Sequence, residues 1–316
     1  MRHLLAVSIA AAACTPAKDN TDLAECILSG ECDTSSEQEV HWVDVSSGMH
    51  ETCGLLSSGK IVCWGTGICD EDAVHAPLNT GEQAQAPGGL FEQVSMGYLH
   101  GCAIQVGGEA ECWGLNDQGQ SSPPAALFQK IRVGEYHSCG LTKSAEILCW
   151  GNNTSGQLDA PDGVGFVDIS SGWDHNCAQD ESGQVLCWGG DDRGQVSSTP
   201  TTALRRMEAG WSHTCGVGLE GHLRCWGQNE AGQSAPPSGQ FTQVSAGDDQ
   251  SCAVRVDGRA ICWGETEFGV LQPPKASFVR VSSGWNSACG LTVEDDILCW
   301  GSNQSEQLNV PIIQED

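Results

Sequence analysis

Positive charge is scarce in this chain. Its 316 residues hold 14 Lys and Arg against 41 Asp and Glu, a formal net charge of −27. A surface of that sign repels phosphate backbones and anionic headgroups, so nucleic-acid partners and direct lipid binding are excluded. Long apolar runs are also missing. The longest, Leu4 to Ala13, is too short to span a bilayer as a mature helix. No C-x-x-C knuckle occurs among the cysteines, which argues against structural zinc. Asp70-Glu71-Asp72 and Asp191-Asp192 lack the Gly-spaced ligand series of a calcium loop and read as solvated surface. Neither a nucleophile motif nor a phosphate-cradling glycine loop is present, so no enzyme activity, metal or cofactor is expected.

What is abundant is cysteine, 18 residues, with 11 Trp and 40 Gly. Fourteen of the cysteines form seven pairs ten positions apart: Cys53 and Cys63, Cys102 and Cys112, Cys139 and Cys149, Cys177 and Cys187, Cys215 and Cys225, Cys252 and Cys262, Cys289 and Cys299. Trp-Gly follows the second member every time, from Trp64 to Trp300. Units recur every 37 or 38 residues after one longer first interval, Thr66 to Gly89. A period of this size marks a propeller or solenoid. So many cysteines in pairs imply disulfides and an oxidising compartment.

The N-terminus agrees with export. Met1-Arg2-His3 is a positive start, and the apolar run ends in Ala11-Ala12-Ala13-Cys14. Residues 1–13 read as a signal peptide, and Cys14 as the lipidation site of a bacterial lipoprotein, with an ordinary cleaved signal as the alternative. Such an anchor would be the chain's sole attachment to a membrane. Residues 14–40 read as a lipid-anchor and acidic tether, in which Cys26 and Cys32 can close a small loop, and 41–316 as the repeat domain. With Cys14 lipidated one cysteine is left over, and Cys69 is the candidate odd thiol.

One unit reads as three strands. In the sixth, Phe241 and Val244 open a first strand ending at Gly247, Cys252–Arg255 is a second, and Ala260–Trp263 a third. The spacing of the cysteines is a geometric test. Nine residues separate them, so a hairpin that sets them opposite needs an odd loop; a two-residue turn would place them on opposite faces. A three-residue loop wants a left-handed residue at its third position. That position is Gly59, Gly108, Gly183, Gly221 and Gly258 in five units and Asp295 in the seventh, while Ala145 in the third fits poorly. Seven cross-strand disulfides are therefore predicted, each stabilising by about 2–3 kcal/mol on chain-entropy grounds. Third strands such as Ile147-Leu148-Cys149-Trp150 are apolar on both faces, as strands wedged between blades must be. Each Trp is expected to pack on the next blade, and a short outer strand is expected after Trp-Gly.

Glycine, two variable residues, His, a strand, an Asp-Gly turn and Trp-Gly-x-Asn-x-x-Gly-Gln together resemble the regulator of chromosome condensation repeat. Gly134, His137, Trp150, Gly151, Asn153, Gly156 and Gln157 carry the pattern in the third unit. The resemblance implies an all-β, seven-bladed β-propeller. It also implies unlike functions, because the family holds a nuclear exchange factor for a small GTPase as well as a secreted inhibitor of β-lactamases. The cysteine pairs depart from the eukaryotic pattern and resemble exported bacterial versions.

Two positions after the first-strand glycine recur in register and vary in kind. They supply Tyr98, Tyr136, Trp173, Trp211 and Trp285, with Asp174, Asp248 and Asp249 interleaved and Glu135 adding charge. Aromatic anchors among varied polar residues compose a protein-binding hot spot; the bland alternative is that the rings cover seams between blades. His100, His137, His175 and His213 recur before the second strand, where three units carry Glu51, Gln250 and Ser287, and read as hydrogen-bonding groups within each blade. The function expected is an exported, lipid-anchored module of a bacterial cell envelope that binds a protein partner. A GTPase regulator needing cytosolic access and a carbohydrate-binding propeller stacking sugars on its rings are the alternatives.

Overall fold

The computed structural model describes residues 39–65, 85–163, 165–265 and 267–313. The signal segment, Cys14, the tether up to residue 38, Cys26, Cys32, Cys69 and Asp70–Asp72 lie outside the described residues. Among the described residues no helix is long and apolar enough to cross a membrane.

The unit Val40–Asp316 is built from seven three-stranded antiparallel sheets, each made of consecutive strands. Blade 1 comprises β1 (Trp42–Ser47), β2 (Thr52–Leu56) and β3 (Ile61–Trp64), and blade 2 comprises β4 (Phe91–Met96), β5 (His100–Gln105) and β6 (Ala110–Gly114). Blade 3 follows with β7 (Phe128–Val133), β8 (His137–Thr142) and β9 (Ile147–Gly151), and blade 4 with β10 (Phe166–Ser171), β11 (His175–Asp180) and β12 (Val185–Gly189). Blade 5 is β13 (Leu204–Ala209), β14 (His213–Gly218) and β15 (Leu223–Gly227); blade 6 is β16 (Phe241–Ala246), β17 (Gln250–Arg255) and β18 (Ala260–Gly264). Blade 7 completes the ring with β19 (Phe278–Ser283), β20 (Ser287–Thr292) and β21 (Ile297–Gly301). The expected seven-bladed propeller is what forms. The expected outer strand does not form among the described residues: after Trp-Gly in blades 2 to 7 the chain runs as turns, with one 3-10 segment, Glu267–Gly269, in blade 6.

Every blade carries its predicted disulfide. Cys53 bonds to Cys63 in blade 1, Cys102 to Cys112 in blade 2, Cys139 to Cys149 in blade 3 and Cys177 to Cys187 in blade 4. Cys215 bonds to Cys225 in blade 5, Cys252 to Cys262 in blade 6 and Cys289 to Cys299 in blade 7. The partners face each other directly across the second and third strands, with Cα atoms 4.0 to 4.1 Å apart in the seven pairs. The second and third strands differ in depth. Cys53 and its counterparts on the second strands are fully buried, whereas Cys63, Cys112, Cys149, Cys225 and Cys299 on the third strands are half-buried and Cys187 and Cys262 sit deeper. The third strand is the outermost of each sheet, which the expected outer strand would have covered.

The hairpin loop has the predicted three residues, and its third position has positive φ throughout, including Ala145 and Asp295 at φ 62°. Ala145 thus accepts a conformation that costs an L-residue about 1 kcal/mol, held by its hairpin. Seven disulfides assign the protein to an extracellular or otherwise oxidising compartment.

Apolar packing sits in the seams. Seven clusters form, one between each neighbouring pair of blades, including the seam between blades 7 and 1. Trp188 of blade 4 packs with Cys139, Leu141 and Ile147 of blade 3, so the Trp contacts the preceding blade rather than the next. Its indole N–H donates to the Gln157 carbonyl of that blade, and Trp150, Trp226 and Trp263 donate equivalently to Gln120, Gln195 and Gln233. The direction follows from right-handed strand twist and ring order, which a single repeat does not contain.

A bulge after the first residue of each inner strand, between Phe241 and Gln243 in β16 for example, shifts the alternation. Phe241 and Val244 therefore both enter the seams, while Gln243 and Ser245 both line the central channel. Channel residues then join blades. Ser46, Ser95, Ser170, Ser245 and Ser282 each accept the backbone N–H of the following blade's inner strand at 2.8 to 3.2 Å, and Ser282 closes blade 7 onto Ser47 of blade 1. At the two remaining positions stand Arg132 and Glu208, which pair with each other at 3.8 Å past the intervening blade 4.

Candidate partner-binding mouth

Where each inner strand ends, a glycine meets the next blade: Gly48, Gly97, Gly134, Gly172, Gly210, Gly247 and Gly284. A Cβ added at any of them would overlap the carbonyl oxygen of the following glycine, and Gly284 would meet Gly48, closing the circle. Only glycine permits backbones this close. This collar brings the variable positions of seven distant segments to one channel mouth.

The first position after each collar glycine lines a cavity of about 510 Å³: Met49, Tyr98, Glu135, Trp173, Trp211, Asp248 and Trp285. The second position does not share this lining; in blades 2 to 7 its carbonyl accepts the N–H of the residue after Trp-Gly, as Asp249 does from Glu265. Of the sequence candidates, Tyr98, Trp173, Trp211, Asp248 and Trp285 are therefore brought together at the cavity. Tyr136, Asp174 and Asp249 do not line it. Asp249 accepts hydrogen bonds from the Gln228 and Gln233 amides of the preceding blade at 3.1 and 2.6 Å, and Asp174 one from Gln195 of its own blade at 3.5 Å, so these carboxylates brace the outer loops. Glu135, expected to add charge to this face, lines the mouth, and so does Met49, which is not among the sequence candidates. Its position directly after the collar glycine was the available signal.

The rings are arranged as a continuous arc. Trp173 and Trp211 stack face to face, centroids 3.6 Å apart and planes 7° off parallel. Tyr98 stands edge-on to Trp173 at 5.3 Å and touches Tyr136 at 6.0 Å. Trp285 lies apart, edge-on to His50 at 5.4 Å. Tyr98 is only 6% exposed and supports the arc from beneath, whereas the three Trp are half-buried. Such edge-to-face and stacked pairs contribute about 0.5–1.5 kcal/mol beyond their buried area.

The carboxyls at the mouth are pushed toward their neutral forms. Burial pushes the Glu135 carboxyl up to about 8, helped by the charge of Asp174. Burial likewise raises Asp248 to about 7, helped by Asp249 and opposed by a hydrogen bond from Trp285. Deeper in the channel three cations are matched, Lys130 with Asp168 at 2.7 Å, Arg280 with Asp44, and Arg132 with Glu208, while Arg206 lines the same cavity without an ion pair among the described residues.

The histidines do a different job. All four are fully buried, and their Nε2 atoms reach Ser138, Asn176, Thr214 and Ser251 of the following blade at 2.8 to 2.9 Å. The bonding joins blades, which corrects the within-blade reading. Because the Ser251 hydroxyl already donates to the Gln233 carbonyl, it accepts from His213, so Nε2 carries the proton. Burial then depresses His213 to about 4 and His100 to about 3. Among the described residues no three His, Cys, Asp or Glu side chains converge on a metal-sized site.

Five segments match the regulator of chromosome condensation (RCC1) repeat: residues 128–157, 166–195, 205–233, 241–270 and 278–307, in blades 3 to 7. No curated protein sequence matches the chain. Among solved structures, the ectodomain of the Physcomitrella patens receptor kinase CR4 superposes with a TM-score of 0.69 at 22% identity, over 83% of this chain and 74% of that one. The CRINKLY ectodomain of the Arabidopsis thaliana receptor kinase ACR4 gives 0.67 at 25% identity, over 83% and 98%. Prp20p of Saccharomyces cerevisiae gives 0.63 at 17% identity, over 80% and 84%. These likenesses are of fold. With five matched repeats set in a closed ring of seven blades, this chain belongs to the RCC1 repeat family.

Proposed function

We propose that this protein is a non-catalytic, exported propeller, lipid-anchored in a bacterial cell envelope, that captures a protein partner with its channel mouth. One contrast carries the reading. In every blade the collar glycine, the disulfide and the Trp are kept, while the first position after the collar changes from Met to Tyr, Glu, Trp and Asp. Residues that only build the ring are uniform; those at the mouth differ, and three are half-buried Trp, a favoured hot-spot residue. Export is supported by the seven disulfides and by the signal-like start, and the anchor rests on Cys14 after Ala11-Ala12-Ala13. Family relatives bind proteins: Prp20p binds Gsp1p and histones, and Kap60 is bound to yeast RCC1.

The test is photocrosslinking in intact envelopes from a probe residue at Met49, comparing the native mouth with a Trp173→Ala, Trp211→Ala, Trp285→Ala variant. A discrete protein adduct lost in the triple variant, with thermal stability kept, is the expected result. A large fall in stability would make the rings seam covers, and adducts only with glycan would favour sugar binding. For the anchor, Cys14→Ala should move the protein from the membrane fraction to the soluble one.

A further inference from the structure

Cations are distributed unevenly over the ring. The end of the propeller that carries the mouth is formed by the collar segments and the first turns after each Trp-Gly. Among the described residues in those turns Arg193 is the one Lys or Arg, and it is already paired with Glu230 at 2.8 Å. The other described cations lie in the strands or toward the opposite end. Lys60, Lys143 and Arg259 stand in the β-hairpin turns, and Lys275 precedes Ser277, whose carbonyl accepts the N–H of Val293 in such a turn. The outer loops around the mouth add Asp117, Asp191, Asp192, Glu265 and Glu267.

Order around the mouth matters more than the total. Successive blades 3 to 7 present Glu135, Trp173, Trp211, Asp248 and Trp285. Two stacked indoles are thus flanked on either side by a carboxyl, and neither carboxyl is paired with a Lys or Arg among the described residues. The channel below shows the opposite design, with Lys130, Arg132 and Arg280 each holding an acid. Burial without a counter-cation is what raises both mouth carboxyls above their ordinary range.

We infer that the mouth selects a cation: an arginine-bearing segment of the partner protein, its guanidinium groups laid against the Trp173–Trp211 stack and bonded to Glu135 on one side and to Asp248 on the other. The inference rests on the partner-capture reading and narrows it. Arginine fits because its planar group stacks on aromatic faces and bonds carboxylates bidentately, which a Lys ammonium does not. A protein segment, rather than a small free amine, uses the acidic outer loops as well, where its flanking basic residues meet charge of opposite sign.

Fluorescence anisotropy with labelled octapeptides tests this. One probe carries three Arg in a Ser-Gly background; the others replace Arg by Lys, by Gln or by Glu. The Arg probe is expected to bind at least tenfold tighter than the Gln probe and severalfold tighter than the Lys probe, and to weaken with salt. Glu135→Gln with Asp248→Asn, which preserve shape, should weaken the Arg probe tenfold or more. Glu220→Gln with Glu294→Gln, in hairpin turns of the opposite end, should leave it within twofold. Equal weakening by the two pairs, or equal binding of the Arg and Gln probes, overturns the inference. If the Arg probe fails while the Trp-dependent adduct forms in envelopes, cation selection is wrong and partner capture stands. If the Arg probe binds through Glu135 and Asp248 but envelopes yield no protein adduct, the site is real and the partner reading fails.

Discussion

His213→Gln should make the protein less stable at pH 8 and more stable at pH 5. The imidazole is fully buried, donates from Nε2 to Ser251 of the next blade, and has no partner at Nδ1. A second proton would place an N–H with no acceptor in the seam, so the folded state refuses it until about pH 4, whereas the unfolded chain accepts it near 6.5. Between those values the unfolded state holds more protons, and stability falls as the pH drops. At pH 5 the loss relative to pH 8 is about 2 kcal/mol for this one residue. His100, His137 and His175 are depressed likewise, to about 3, 4 and 3, so each deepens the loss of stability on acidification. Glutamine is the natural replacement, since Gln250 occupies the same position in blade 6 and donates to the Gly284 and Trp285 carbonyls. Losing the ring and its bond costs about 1 kcal/mol at pH 8. The two stability curves should therefore cross near pH 6, by an order-of-magnitude balance of these terms. Urea unfolding of the disulfide-intact protein, followed by Trp fluorescence at pH 5, 6, 7 and 8, measures this. Parallel curves, with a constant difference across that range, would refute the argument.

Two further outcomes are expected. Glu51 stands where those histidines do, but the facing position in blade 2 is Gly101, so both carboxyl oxygens lack a partner and burial pushes the group up to about 8. Its folded value lies above its unfolded one, so its contribution to stability is fully present below pH 4.5 and is lost as the pH rises toward 8, the reverse of the histidines; Glu51→Gln should stabilise by roughly 3 kcal/mol at pH 7 and by nothing at pH 4, read from the same urea titrations. Gly172→Ala drives a methyl into the Gly210 carbonyl and the His175 ring, neither of which is free to yield, and should cost about 3 kcal/mol. Gly119→Ala, at φ 83° in open space, should cost about 1 kcal/mol, and similar losses at the two sites in thermal melts would argue against a close-packed collar.

Much of the site's logic is written between units rather than within one. His100, His137, His175 and His213 face Ser138, Asn176, Thr214 and Ser251; Gln250 faces Ala288 and reaches past it to backbone carbonyls; Glu51 faces Gly101 and reaches nothing. Each histidine's partner lies 38 or more residues away, as with His137 and Asn176, so aligning the repeats exposes the variation but not who answers whom. The same holds at the mouth. Periodicity identified two candidate positions after each glycine, and nothing local distinguished the one that lines the cavity from the one that braces the outer loops.

By itself the sequence determined the hairpin joining the second and third strands, the seven disulfides and the number of blades. These follow from local chain geometry: a spacing of ten fixes which side chains oppose, and a left-handed third residue fixes the loop. Tertiary structure alone decided the rest. It turned each Trp onto the preceding blade, cancelled the expected outer strand, and moved Tyr136, Asp174 and Asp249 away from the cavity while admitting Met49. The physical reason is the glycine collar, whose seven backbones touch only when the ring is closed, so the direction of every side chain at the mouth is a property of the whole circle.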